Sequence, residues 1–167
     1  MMSISRLRIR NFRNIQWCEM EPGPGMNLVL GDNGAGKTAL LEAVFLLARG
    51  KSFRESGPRP LVREGCEAFE VFASIESGDG GIHRLGVSGG KSERRIRVDG
   101  RDAARASALA GILPVGVLVP QSHGLIDRGP EQRRRLIDWG VFHVEPDYRR
   151  LAVDYARALR QRNRALK

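Results

Sequence analysis

Two cysteines are all the chain has, Cys18 and Cys66, far apart and in no metal-ligand spacing. There is no CxxC motif and no basis for a disulfide framework, so free thiols in a reducing compartment are expected, and with them a cytoplasmic location. The three histidines, His83, His123 and His143, are isolated, and no two share the spacing of a zinc site. No triad signal for nucleophilic catalysis is present. No apolar stretch reaches membrane-spanning length, and the opening MMSISRLRIRNF alternates charge with apolar residues, unlike a signal peptide. No membrane partner is expected. The N-K-x-D signature that a GTPase needs for guanine is also missing.

Positive charge is plentiful. The 167 residues hold 28 Lys/Arg against 19 Asp/Glu, a net charge of +9. Its distribution is uneven: residues 128–167 hold 11 Lys/Arg against 5 Asp/Glu, so the last 40 residues carry +6 of the +9. Such a segment suits a polyanionic partner, nucleic acid first, or else forms a solvated helix face neutralised elsewhere. The apolar fraction of 41% is ordinary for a globular domain, and the length allows one compact core.

The strongest signal is the octet Gly31-Asp32-Asn33-Gly34-Ala35-Gly36-Lys37-Thr38, which meets the phosphate-loop pattern G-x-x-x-x-G-K-[ST] at every fixed position. The apolar run Met26–Leu30 before it reads as a buried strand. The run Ala39–Ala48 after it reads as a helix ending at Gly50. Strand, glycine loop and helix is the order phosphate binding requires. Glycines let backbone N–H groups turn toward the phosphates, and the helix N-terminus adds partial positive charge. Lys37 is expected to reach the β- and γ-phosphates, and the Thr38 hydroxyl to coordinate Mg²⁺. ATP and Mg²⁺ are the expected cofactors.

A hydrolytic site would also need an acidic residue closing an apolar strand. None is found. Asp99 sits in a turn with Gly100, Asp138 lies inside an Arg-rich helix, and Asp154 lies in the last helix. No catalytic residue is assigned. Gln121 follows the apolar run 115–119, and a glutamine at a strand end beside a phosphate loop is a candidate Mg²⁺ contact.

Elsewhere, residues 4–15 alternate as a half-buried strand, with Leu7 and Ile9 on one face and Arg6, Arg8 and Arg10 on the other. Pro22–Gly25 is a turn leading to the 26–30 run, which predicts a hairpin. Helix 38–49 is apolar nearly all round and should be buried on several sides. Residues 50–67 read as a surface loop. Residues 69–75, 82–87 and 94–98 form an antiparallel meander, closed by a hairpin turn at Asp99-Gly100. Ser88-Gly89-Gly90 has the S-G-G core of a transporter-type signature loop. That loop must open a helix, whereas strand sequence flanks this triplet, so a turn is expected. Residues 102–112 read as a helix ended by Pro114, and Val115–Val119 as a second parallel core strand. Helices are expected from Pro130 and from Pro146, the second with an apolar stripe at Tyr148, Leu151, Tyr155 and Leu159.

The order of these segments resembles a known family. Asn11-Phe12-Arg13-Asn14 followed by the phosphate loop is similar to the heads of SMC-like ATPases. More narrowly, Gly50-Lys51-Ser52-Phe53-Arg54, Pro120-Gln121-Ser122, Arg133–Gly140 and Phe142–Pro146 resemble the RecF family of bacterial recombinational repair proteins. The resemblance implies an α/β P-loop NTPase fold: an ABC/SMC-type head with an antiparallel β subdomain, of which only the N-terminal part is here. On that basis residues 1–128 are expected to be this part of the head, and 129–167 a basic helical segment leading toward a second lobe. It further implies an ATP-dependent homodimer, binding of single- and double-stranded DNA at gap junctions, and work with RecR and RecO type proteins to load a recombinase. It also places Gln121 where such heads put the Q-loop. In that family the signature loop and the acidic strand end lie further along the chain than residue 167. The competing expectations are a non-enzymatic ATP-binding or assembly fragment, and another P-loop ATPase such as a transporter subunit.

Overall fold

The computed structural model describes residues 2–54, 61–90, 94–103, 106–118, 129–145 and 147–166. They fall into two compact units, Met1–Val117 and Leu118–Lys167.

The first unit is a six-stranded antiparallel sheet with a helix on one face. The strands are β1 (Ser3–Phe12), β2 (Ile15–Met20), β3 (Phe69–Glu76), β4 (Ile82–Gly89), β5 (Arg94–Val98) and β6 (Arg101–Asp102), ordered β2-β1-β3-β4-β5-β6. Among the described residues, the helices of this unit are α1 (Lys37–Arg49) and the single turn α2 (Ser107–Ala110). Period-two alternation divides the sheet into two faces. Leu7 and Ile9 on β1, Val71, Ala73 and Ile75 on β3, and Leu85 and Val87 on β4 are buried against Ala43, Leu46, Leu47 and Ala48 of α1. Phe12 and Phe69 close the core edge to face, with ring centroids 5.4 Å apart. Leu109 and Leu113 enter the same core.

The meander is as expected, with β4 running on to Gly89. Ser88 and Gly89 therefore end a strand and open no helix. The turn after β5 has φ +50° at Asp99 and +80° at Gly100, the left-handed pair that a two-residue hairpin requires. Asp99 fastens it: one carboxylate oxygen accepts the Arg84 backbone N–H at 2.7 Å, and the other lies 3.0 Å from His83 Nδ1. These bonds, the backbone one foremost, hold the Asp99 carboxyl below its ordinary value of 3.8.

Other expectations are revised. The first hairpin joins β1 to β2 through Arg13-Asn14, with Phe12 opposite Ile15, and does not lead to the run before the phosphate loop. A positive φ of +55° at Arg13 makes the tight reversal. Residues 26–30 form no strand. Met26, Leu28 and Leu30 are 99%, 79% and 79% exposed. Val115–Leu118 likewise lacks regular structure, and Leu118 is 88% exposed; Val119 lies outside the described residues. A strand is made by the neighbour it bonds to, and no described strand lies beside either run. Helix α1 is buried on one side but leaves Leu41 exposed. The predicted helix at 102–112 shrinks to α2, because β6 takes Arg101 and Asp102. Residues 104 and 105 lie outside the described residues.

The second unit holds α3 (Gly129–Val144) and α4 (Tyr148–Ala165). The Tyr148 hydroxyl donates to Asp138 Oδ1 at 2.6 Å, linking the start of α4 to α3. That bond raises the Tyr148 pKa above its ordinary 10.0. On the apolar stripe of α4, Tyr148 and Leu159 are half-buried, while Leu151 and Tyr155 are exposed.

Candidate phosphate-binding site

Residues Gly31–Gly36 form the loop that enters α1, and Lys37 is the first helical residue. Three glycines carry the left-handed backbone it needs: φ is +153° at Gly31, +86° at Gly34 and +105° at Gly36. Side chains are strained in that region. Gly36 has a second constraint, since a Cβ there would lie 3.3 Å from Ile15 Cγ1 and 3.5 Å from the Asn14 side chain. The β1–β2 turn is therefore packed directly on the loop. Asn14 Nδ2 completes the contact by donating to the Gly34 carbonyl at 2.6 Å.

The charge sits where an anion would need it. Lys37 Nζ donates to the Gly31 carbonyl at 2.6 Å and the Asp32 carbonyl at 2.8 Å, which holds the ammonium across the loop. The first N–H groups of α1 have no carbonyl one turn back to bond, and no side chain caps the helix. Thr38 stands exposed in the first turn. Left-handed glycines, open helix N–H groups, one ammonium and one hydroxyl make a donor set that fits a polyphosphate with its cation. Asp32, Asn33 and Ala35 complete the loop, with Ala35 N–H bonded to the Asp32 carbonyl at 3.2 Å. Gln121 and its neighbours Pro120 and Ser122 lie outside the described residues.

Beneath the loop lies a network that the motif reading missed. Glu42, one turn after Thr38 on α1, is fully buried. Arg13 Nη2 donates to Glu42 Oε1 at 2.7 Å, and Arg13 Nε to Oε2 at 3.1 Å. The Ser52 hydroxyl donates to Oε1, and Arg54 Nη1 lies 3.7 Å from Oε2. Ser52 Oγ also accepts the Arg54 backbone N–H at 2.9 Å, and Phe53 packs edge to face on Phe45 of α1 with centroids 5.4 Å apart. One carboxylate thus ties the β1–β2 turn and the segment after α1 to the phosphate-loop helix. Its sequence signal is a lone acid inside an otherwise apolar helix, where a buried charge requires partners.

Comparison with known proteins places the chain in a family. The model described as AAA domain matches residues 6–143. The chain belongs to the AAA domain family. Within it, the whole chain is similar to proteins called DNA replication and repair protein RecF. The one from Hydrogenovibrio crunogenus is 40% identical over 167 residues, covering 100% of this chain and 46% of the relative. That from Xanthomonas axonopodis pv. citri is 44% identical over 170 residues, covering 99% and 46%. Among solved structures, the recombination mediator protein RecF with ATP, of the RecFOR pathway, superposes with TM-score 0.81 at 29% identity, over 99% of this chain and 46% of that one. The Smc head domain from Pyrococcus yayanosii superposes at 0.63 and 19% identity, over 98% and 37%, a likeness of fold.

The chain spans about half the length of the curated relatives it matches, and the resemblance is to their N-terminal half. The RecF resemblance read from short motifs thus extends over the whole chain, as does the P-loop ATPase fold with its antiparallel sheet. Among the described residues of this AAA domain, no helix is long and apolar enough to cross a membrane.

Proposed function

We propose that this chain is the ATP-binding part of a RecF-type DNA replication and repair protein. Gly31–Thr38 hold the phosphates of ATP: the loop N–H groups cradle them, Lys37 moves from the loop carbonyls to the β- and γ-phosphates, and Thr38 coordinates Mg²⁺. Gln121 is the second protein contact of that Mg²⁺. The observation that carries the reading is the Lys37 ammonium held across a loop of three left-handed glycines at an open helix N-terminus.

In the full protein, ATP controls pairing of two copies, and the dimer binds single- and double-stranded DNA at gap junctions. With RecR and RecO type partners it helps load a recombinase there, in the cytoplasm. Residues 1–128 serve as the N-terminal part of the head, and the basic residues 129–167 begin the second lobe. The support is similarity to proteins named for DNA replication and repair and to a RecF structure named with ATP.

Calorimetry with ATP and Mg²⁺ tests the core of this. Lys37→Ala should abolish binding, because it removes the cation that the phosphates meet. Unchanged affinity would overturn the phosphate-loop assignment. Binding of ATP with no ATP-dependent dimer and no DNA affinity in the full protein would favour the alternative, a non-enzymatic ATP-binding or assembly role.

A further inference from the structure

The sheet has a second face, opposite α1, and its composition is unusual. Register places its residues in rows across the strands. Trp17, Arg10, Glu70, Ser88 and Arg95 form one row, and Glu19, Arg8, Phe72, Gly86, Arg97 and Asp102 the next. Arg6, Ser74 and Arg84 form a third. Among the described residues, the cations on this face are all arginine: Arg6, Arg8 and Arg10 on β1, then Arg84, Arg95 and Arg97 on β4 and β5. The two sets flank a floor of small residues, Ser74, Gly86 and Ser88, with Phe72 at its centre. From β1 to β5 is three strand spacings, about 14 Å.

Part of this charge is already used. Arg6 pairs with Glu19, and Arg97 Nε lies 3.0 Å from Asp102 Oδ1. The Arg8 guanidinium sits 4.7 Å from the Phe72 ring centroid, a cation–π contact. Arg10, Arg84 and Arg95 are exposed and make no side-chain ion pair with the described residues, although Arg84 also feels the charge of the Asp99 carboxylate that accepts its backbone N–H. Trp17, at the end of its row, is 57% exposed.

We infer that this outer sheet face binds a single strand of nucleic acid, with its phosphates on Arg10, Arg84 and Arg95 and its bases over Phe72, Arg8 and Trp17. The inference rests on the DNA-binding reading above and gives it a surface within the first unit. Arginine's planar fork matches phosphate oxygens two at a time, and aromatic rings and guanidinium planes are platforms for bases. The carboxylates described on this face, Glu19, Glu70, Glu76 and Asp102, can sit between discrete phosphates. They would oppose a continuous anionic membrane surface. A single strand is favoured over a duplex because only unpaired bases expose their faces for stacking.

The test uses the full-length protein and a labelled oligo-dT, with fluorescence anisotropy across a salt series. The triple variant Arg10→Gln/Arg84→Gln/Arg95→Gln removes three phosphate contacts from exposed positions. Affinity should fall at least about tenfold, and the slope of log K against log salt should flatten by about 2, at about 0.7 per contact. ATP affinity should not change. Phe72→Leu should weaken oligo-dT binding more than binding to a blunt duplex. Trp17 fluorescence should be quenched by oligo-dT, a signal lost in Trp17→Phe. If the wild type binds oligo-dT and the triple variant binds it equally with the same slope, the sheet face is overturned and the DNA-binding reading stands. If the wild type binds no oligonucleotide, both fall. If the triple variant loses binding only to phosphatidylserine vesicles, the face is a membrane surface and the inference is overturned.

Discussion

Arg13 and Glu42 meet at two points, Nη2 on Oε1 at 2.7 Å and Nε on Oε2 at 3.1 Å, with the carboxylate fully buried and the guanidinium side chain 15% exposed. Arg13 belongs to the β1–β2 turn and Glu42 to the helix that follows the phosphate loop. The neighbour of Arg13, Asn14, bonds the loop itself at Gly34. The turn is therefore tied both to the loop and to the helix that follows it.

Removing one partner of this pair should be severe. Glu42→Gln keeps the volume but takes the buried carboxylate charge away from the Arg13 guanidinium. A loss of about 3 kcal/mol is expected. Urea denaturation followed by circular dichroism measures it. A double variant, Arg13→Met with Glu42→Met, should recover most of the loss, since the buried guanidinium goes with the carboxylate and Arg54, 44% exposed, can turn to water. If Glu42→Gln alone is neutral, the carboxylate does not hold the structure.

The Asn14 bond to the loop should show in nucleotide affinity before stability. Asn14→Ala removes one exposed hydrogen bond, worth about 1 kcal/mol. Calorimetry should show ATP binding weakened by roughly fivefold, the conversion of that energy. Asn14→Gln should restore part of the loss if its longer amide reaches Gly34. Equal affinity in all three would detach the turn from the site.

Gly50 ends α1 with φ +66°, and its N–H bonds the Leu46 carbonyl at 2.7 Å. A Cβ there would lie 2.6 Å from Ala106 Cβ. Gly50→Ala thus combines a left-handed backbone with a clash, and a loss of about 2 kcal/mol is expected. The thermal midpoint measures it, and an unchanged midpoint would mean the helix ends by other means.

Asp99 gives a pH dependence. Its folded pKa lies below the ordinary 3.8, so the contribution is present above the unfolded value and is lost as pH falls through the folded one. The wild type should lose hairpin stability progressively below about pH 4. In Asp99→Asn that part of the acid limb should be absent. Hydrogen exchange at Arg84, whose backbone N–H the carboxylate accepts, reports it. The same acid limb in both proteins would assign the titration to another group.

What sequence reasoning captured and what it missed separate along a physical line. The phosphate loop was legible because its glycines are demanded by local backbone geometry. The β3–β5 meander and the Asp99-Gly100 turn were legible because period-two burial and a two-residue reversal are short-range. The runs 26–30 and 115–119 misled because their apolar character matches a buried strand, yet a strand also needs a neighbour. The Glu42 network was illegible because its partners, Arg13, Ser52 and Arg54, lie 29, 10 and 12 residues away. A lone acid in an apolar helix signals that partners are needed, but no local pattern says which residues they are.

By itself, the sequence determined a glycine loop of the phosphate-loop pattern, the alternating strands and the concentration of positive charge in the last 40 residues. Each follows from neighbours in the chain: backbone dihedrals, side-chain alternation or composition. Tertiary structure alone decided which turn braces the loop, which carboxylate is buried beneath it, and that six arginines from three strands share one face of the sheet. Those are questions of register and packing. Strand pairing across dozens of residues, rather than anything local, brings these groups together.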